Sequence, residues 1–328
     1  AMAGAARRAA RPLLLLVLLT CQGCAYWNGW QHTYSDRAVP AQTFHFRDGG
    51  HAIYFSFDKS VQQWPATAEP AIATYLFVIA GSDCTSMKYF LPQYFDGLDG
   101  RSGAVRIFVL HKRFIGERSW GRIAGCGEAF VRADHPQRWL ADQREFIEAQ
   151  LARAGRAGTP PVRVALLGIS EGGDIVPTLA ARIAAATHVA ILGNGGMAPL
   201  AAYRLQAQRQ GFAAHLAALD ALDGAPPADP DDPTQGIAGR SWRYWKELRE
   251  LPHQENLLRL QLPLLVAMGE ADDAVPVESA RYLRSLYAAA GKQNLTLLLY
   301  PQADHGLHDG RRSRLVDFFR AFDEWLEK

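Results

Sequence analysis

The sequence predicts an α/β fold, a mostly parallel sheet of eight strands with helices on both faces and one helical insertion. Three observations carry this reading. Apolar runs such as Tyr75 to Ile79 (YLFVI) show no polar alternation, so they read as strands buried on both faces. These runs alternate with stretches whose apolar residues recur at helical spacing, the order that lays helices over a parallel sheet. Residues 198 to 258, finally, form a connection far longer than two neighbouring core strands need.

At 328 residues the chain can bury a substantial core as one large domain or two ordinary ones. Its 35 basic and 33 acidic residues leave a formal charge of +2, so no positive excess points to a nucleic-acid partner. No internal repeat is visible.

Residues 1 to 24 read as a targeting segment. Arg7, Arg8 and Arg11 precede the apolar run Leu13 to Leu19, which fits a signal peptide and is too short to span a bilayer. Cys21 and Cys24 follow, and the segment resembles a bacterial lipoprotein signal, in which a cysteine becomes the lipidated first residue of the mature chain. Cys24 has the small Gly23 before it and fits better than Cys21, which has Leu18 three positions back but Thr20 in between. An ordinary cleaved signal peptide is the alternative. Export is expected either way, to the periplasm or to a membrane-anchored lipoprotein, with the lipid as the only membrane contact. Residues 25 to 41 read as a polar, aromatic-containing tether.

An oxidising compartment permits disulfides, and Cys84 and Cys126 are the two remaining thiols. Paired, they close a loop of about 40 residues and contribute about 3 to 4 kcal/mol. Two separate buried thiols are the alternative.

The elements then follow in order from residue 42. QTFHFRDGGHAIYFSFD reads as two alternating strands joined by a turn at Asp48, Gly49 and Gly50. Buried strands are expected at 75 to 79, 105 to 110, 162 to 167, 188 to 192, 264 to 268 and 295 to 300. Helical patterns cover 85 to 98, 137 to 153, 171 to 186, 278 to 289 and 313 to 326. The insertion starts rich in alanine and leucine, passes through GAPPADPDDPTQG (224 to 236) and resumes with SWRYWKELREL. We read it as a helical cap whose Trp242, Tyr244 and Trp245 line a pocket for apolar groups. A surface insertion with no part in binding is the alternative.

Chemistry concentrates in VRVALLGISEGGDIVPTLAARIA, residues 162 to 184. Gly168, Ser170 and Gly172 form a G-x-S-x-G motif between a strand and a helical pattern (Ile175, Leu179, Ile183), with Gly173 as a further small residue. A tight turn there leaves the serine hydroxyl exposed at its tip, as a nucleophile requires. A serine nucleophile needs a base to take its proton and a carboxylate to orient that base. Asp272, in the MGEADDAVP stretch after the 264 to 268 strand, has the spacing to Gly269 and Val275-Pro276 expected of the acid, with Asp273 and Glu270 as alternates. His305 follows the last strand in YPQADHGLHD. The order is therefore Ser170, Asp272, His305, each beyond a different strand.

Over roughly residues 42 to 328 the chain resembles the α/β-hydrolase superfamily, through the GISEGG, GEADDAVP and ADHG segments in that order. The resemblance implies a Ser170-His305-Asp272 triad and a backbone oxyanion hole. One donor is expected from the N–H of Glu171 and the other from Ser82 or Asp83, in an AGSDCTS loop that lacks the HGGG pattern of many lipases. A Cys84 to Cys126 bridge would brace that loop. The reaction expected is acyl transfer to water from a small-molecule carboxylic ester, with no cofactor. An exported serine peptidase or amidase is the second reading, and a non-catalytic binding protein of the same fold the third. His305 and His308 could instead hold a metal, but two neighbouring ligands are too few for a site. The basic segment HKRFIGERSWGR (111 to 122) reads as a solvated loop, with reception of an anionic substrate as its alternative.

Overall fold

The computed structural model describes residues 38–61, 71–310 and 312–328. The signal segment with Cys21 and Cys24, and all but the end of the tether, lie outside them.

Eight strands form one sheet: β1 (Ala41–His45), β2 (His51–Lys59), β3 (Ile72–Ile79), β4 (Ala104–Leu110), β5 (Arg163–Ile169), β6 (His188–Leu192), β7 (Leu264–Gly269) and β8 (Leu295–Tyr300). Their order is β1-β2-β4-β3-β5-β6-β7-β8. The β1–β2 hairpin is antiparallel and β2 joins β4 antiparallel, while all pairings from β4 through β8 are parallel. Side chains alternate across this sheet and feed two core layers. Tyr75, Phe77 and Ile79 enter one, with Phe108, Phe146 and Leu166. Leu76 and Val78 enter the other, with Val105, Val109, Phe318 and Phe322.

Among the described residues, nine α-helices surround the sheet. They are α1 (Glu128–Ala133), α2 (Pro136–Arg156), α3 (Gly172–Ala180), α4 (Pro199–Arg209), α5 (Ala213–Asp220), α6 (Trp242–Arg249), α7 (His253–Arg259), α8 (Glu278–Ala289) and α9 (Leu315–Trp325). Helices α2, α3 and α8 bury apolar residues in the first layer, and α9 places Phe318, Phe319, Phe322 and Trp325 in the second. The chain runs from β3 outward to β4 and returns across β3 to β5. Loops leaving the C-terminal ends of β3 and β5 therefore diverge and open a crevice between them.

One expected helix is not formed. Residues 85 to 98 contain only two short 3₁₀ turns, Met87–Tyr89 and Gln93–Phe95. Pro92 lacks an amide hydrogen and disfavours helical geometry at Leu91, so the apolar periodicity there cannot propagate as an α-helix. Leu91, Phe95 and Leu98 still bury themselves in the second core layer, which is what that periodicity recorded. Helix α1 has no counterpart among the expected elements.

Candidate active site

Ser170 stands at the turn from β5 into α3 with φ of +54°, a left-handed backbone that costs a non-glycine residue energy and is held by its surroundings. Its amide donates to the Leu192 carbonyl at 2.7 Å. Its carbonyl accepts from Asn194 Nδ2 at 3.0 Å, and the same amide nitrogen bonds Asp174 Oδ1 at 2.9 Å. The two motif glycines answer close approach: a Cβ on Gly168 would overlap the Gly172 carbonyl, and one on Gly172 would overlap that of Ile79. The elbow thus packs directly on the end of β3.

His305, in the loop after β8, places Nε2 2.9 Å from Ser170 Oγ and Nδ1 2.7 Å from Asp272 Oδ2. Asp272 leads out of β7 with its side chain fully buried. Its Oδ1 accepts the amides of Ala274 at 2.9 Å and Val275 at 2.8 Å, which leaves Oδ2 to accept from the histidine. The proton of a neutral imidazole is therefore placed on Nδ1, and Nε2 carries the lone pair that faces the serine hydroxyl. Burial alone would lower the His305 pKa. The Asp272 hydrogen bond and charge, aided by Asp273 and Asp304, outweigh it, and the value is raised. Neither alternate makes the His305 hydrogen bond: Glu270 pairs with Arg281 at 2.9 Å, and Asp273, whose backbone carbonyl accepts from Gln210 at 2.7 Å and from Gln206, acts on His305 through its charge alone. His308 turns to Asp304, with 3.7 Å between Nδ1 and Oδ1.

The loop after β3 passes beside the nucleophile, since a Cβ on Gly81 would stand 3.5 Å from that of Ser170. Ser82 and Asp83 follow at once, and among the described residues neither their amides nor that of Glu171 donates to a protein group. The structure shows Cys84 and Cys126 joined as a disulfide with a sequence separation of 42. Cys84 is anchored further by its amide on the Gly121 carbonyl at 3.2 Å, so the cross-link ties the β3 loop to the 111 to 126 segment.

A cavity of about 790 Å³ opens at Ser170 and His305. Its apolar wall includes Met87, Tyr89, Phe90, Tyr94, Trp139 and Leu315. Trp120 stands at the same aromatic cluster, 5.1 Å from the Tyr89 ring, and is 71% exposed.

The insertion does not line this cavity, which corrects the expected role of its aromatic residues. Tyr244 and Trp245 are buried in the first core layer and Trp242 packs against it. Helix α6 rests on α2 and α7 on α3, and Trp245 Nε1 donates to the Ile237 carbonyl at 2.9 Å. An amphipathic aromatic face has the same sequence pattern whether it covers a helix layer or a ligand. The basic segment also departs from its reading as a solvated loop. Arg113 forks onto Asp142 at 2.7 Å and 2.8 Å and pairs with Asp48 at 2.9 Å, and Lys112 is buried.

Lys112 belongs to a buried group of charges behind the nucleophile that sequence reasoning missed. Its Nζ lies 2.9 Å from Asp134 Oδ1, 3.0 Å from Glu171 Oε1 and 3.9 Å from the Trp139 ring centre. Arg240, from the insertion, pairs with both Asp134 and Glu171. Burial drives the Lys112 pKa down to about 7, with Glu171 opposing and Arg240 adding to the fall.

The sequence profile of the prolyl oligopeptidase family matches residues 124–328. No curated protein sequence matches the chain. Solved structures resemble the fold. Est1E from Butyrivibrio proteoclasticus superposes with a TM-score of 0.57 at 14% identity, over 88% of this chain and 99% of that one. A soluble variant of monoglyceride lipase from Saccharomyces cerevisiae, in complex with a substrate analog, gives 0.56 at 15%, over 88% and 95%. The Pyrococcus horikoshii acylaminoacyl peptidase gives 0.56 at 13%, over 88% of this chain but only 41% of the peptidase.

Proposed function

The chain belongs to the prolyl oligopeptidase family and is a serine hydrolase of the α/β-hydrolase fold, and from that premise we propose that it is an exported esterase using a Ser170-His305-Asp272 triad. The observation that carries the reading is the continuous hydrogen-bonded chain from Asp272 through His305 to Ser170, ending at an apolar cavity. Ser170 Oγ attacks the ester carbonyl while His305 Nε2 takes its proton. The carbonyl oxygen becomes an oxyanion, which the amides of Glu171 and of Ser82 or Asp83 stabilise. His305 then gives the proton to the departing alkoxide, leaving an acyl-enzyme. Water attacks that ester with His305 again as base, and the carboxylic acid and free Ser170 are restored. Asp272 keeps the imidazole in its reactive tautomer and stabilises its charged form.

The aromatic and aliphatic cavity wall supports an acyl or aryl ester over a strongly polar substrate. The Cys84 to Cys126 bridge supports an oxidising, exported location, consistent with the expected lipoprotein-type leader. Family membership favours a second reading, hydrolysis of a peptide or amide at the same site.

Hydrolysis of p-nitrophenyl esters of increasing acyl length, beside aminoacyl and peptidyl anilides, separates the two. The esterase reading expects turnover of esters well above that of anilides, with both absent in Ser170→Ala. Efficient anilide cleavage that depends on Ser170 replaces it with the peptidase reading. Loss of neither activity in Ser170→Ala removes both.

A further inference from the structure

Four ionisable side chains meet behind Ser170, each almost wholly buried: Lys112 and Glu171 at 6% and 8% side-chain exposure, Asp134 at 1% and Arg240 at 4%. They come from four places: the end of β4, the nucleophile elbow, the end of α1 and the insertion. Two basic side chains face two acidic ones, so the groups match in number. Arg240 makes one further contact that this match does not require. Its Nη2 donates to the Ser82 carbonyl at 2.6 Å while the same nitrogen holds Glu171.

We propose that Arg240 is a positioning residue for the oxyanion hole, fixing the separation of the two backbone segments that supply its donors. Glu171 contributes the first donor from its own amide, and Arg240 holds the side chain of that residue. The Ser82 carbonyl and the Asp83 amide share one planar peptide unit, so gripping the carbonyl sets the direction of that N–H. Ser82 itself carries the other candidate amide. Whichever of the two faces the oxyanion, its position relative to Glu171 is set through one guanidinium.

The chemistry of arginine suits this task. Its rigid fork reaches Asp134 with one terminal nitrogen and bridges Glu171 and Ser82 with the other, which a single ammonium cannot reproduce. The guanidinium is itself held in place, 4.4 Å from the Tyr244 ring centre. Its backbone is pinned by reciprocal bonds with Ile237, at 2.8 Å and 3.0 Å. The insertion thus acts on the reaction centre without lining the cavity.

This inference rests on Ser170-dependent acyl transfer, and its test distinguishes the two. Arg240→Lys keeps the charge and loses the fork. The double variant Arg240→Leu with Asp134→Leu removes one cation and one anion together and leaves the Lys112 and Glu171 pair. Each is assayed at a temperature where circular dichroism shows it fully folded. The expected result for both is a kcat reduced about 10- to 100-fold, a KM within about threefold of wild type, and a parallel fall in the rate of fluorophosphonate labelling of Ser170. Folded variants with kcat within twofold of wild type overturn the positioning role. So does a loss that appears in KM instead of kcat. A wild-type protein without Ser170-dependent turnover overturns the hydrolase reading, and this inference with it.

Discussion

His305 Nδ1 lies 2.7 Å from Oδ2 of Asp272, a carboxylate with no exposed side-chain surface and two backbone amides on its other oxygen. The pair fixes both the tautomer and the basicity of the imidazole. Burial opposes the imidazolium, the Asp272 bond and charge favour it more strongly, and the His305 pKa is raised above 6.5. Catalysis needs the neutral form, so activity falls as pH drops through this raised value. The acid limb of kcat/KM is expected above pH 6.5. Asp272→Asn should move the limb down and reduce kcat by about 10³- to 10⁴-fold, because the wrong tautomer then faces the serine. A pH–rate profile whose acid limb is unmoved in Asp272→Asn contradicts the pairing.

Asp174, at the start of α3, keeps its proton to a much higher pH than an ordinary surface carboxylate. Burial raises its pKa to about 8; the Asn194 hydrogen bond opposes this and the Glu171 charge adds to it. The folded protein therefore holds a proton that the unfolded chain releases near 3.8. Its contribution to stability is complete below about pH 4 and is lost as pH rises toward and through 8. Asp174→Asn cannot ionise, so its melting temperature relative to wild type should rise between pH 5 and pH 9. A constant difference across that range would show that the carboxyl is already ionised in the folded state.

The Cys84 to Cys126 bridge spans a sequence separation of 42 and closes a loop that holds Met87, Tyr89, Phe90 and Tyr94 of the cavity wall as well as Lys112. Cys84→Ser with Cys126→Ser should lower unfolding free energy by about 3 to 4 kcal/mol, read from urea denaturation. It should also raise KM, because Tyr89 and Phe90 lie inside the loop. A change under about 1 kcal/mol would mean that the unfolded chain is scarcely constrained by the cross-link.

Phe90 lines the cavity and stacks on Trp120 with ring centres 6.5 Å apart. Phe90→Ala removes apolar contact that a long acyl chain would bury, worth about 1 to 2 kcal/mol. KM for long-chain esters should rise about tenfold while kcat and the constants for acetyl esters stay near wild type. Equal losses for short and long chains would place the acyl group elsewhere.

Much of this architecture was legible from local pattern. The strands are continuous apolar runs because both sheet faces are covered, and that pattern survives any detail of packing. Ser170, Asp272 and His305 could be picked out because each closes or follows such a run, and the structure brings them within hydrogen-bond reach. Residues 85 to 98 misled because burial imposed a helix-like spacing on a segment that Pro92 keeps out of the α-helix. Trp242, Tyr244 and Trp245 misled because aromatic residues pack helices as readily as they line pockets. Arg240 left no local signal: it meets Ser82 across 158 positions and Glu171 across 69, and it stands beside a proline- and aspartate-rich stretch that reads as loop. Asn194 was equally silent, since one asparagine after a buried strand does not announce that it holds the strained carbonyl of Ser170.

Covalent labelling followed together with turnover tests the Ser170 nucleophile most directly. Wild-type protein is treated with a fluorophosphonate, digested and examined by mass spectrometry, while residual ester hydrolysis is followed in the same samples. A serine nucleophile at position 170 should give one phosphonyl adduct on the peptide containing Ser170, activity lost in proportion to labelling, and at least about a 10³-fold lower kcat in Ser170→Ala. Hydrolysis that persists after full labelling, or that survives in Ser170→Ala within tenfold of wild type, would contradict a serine nucleophile at this position.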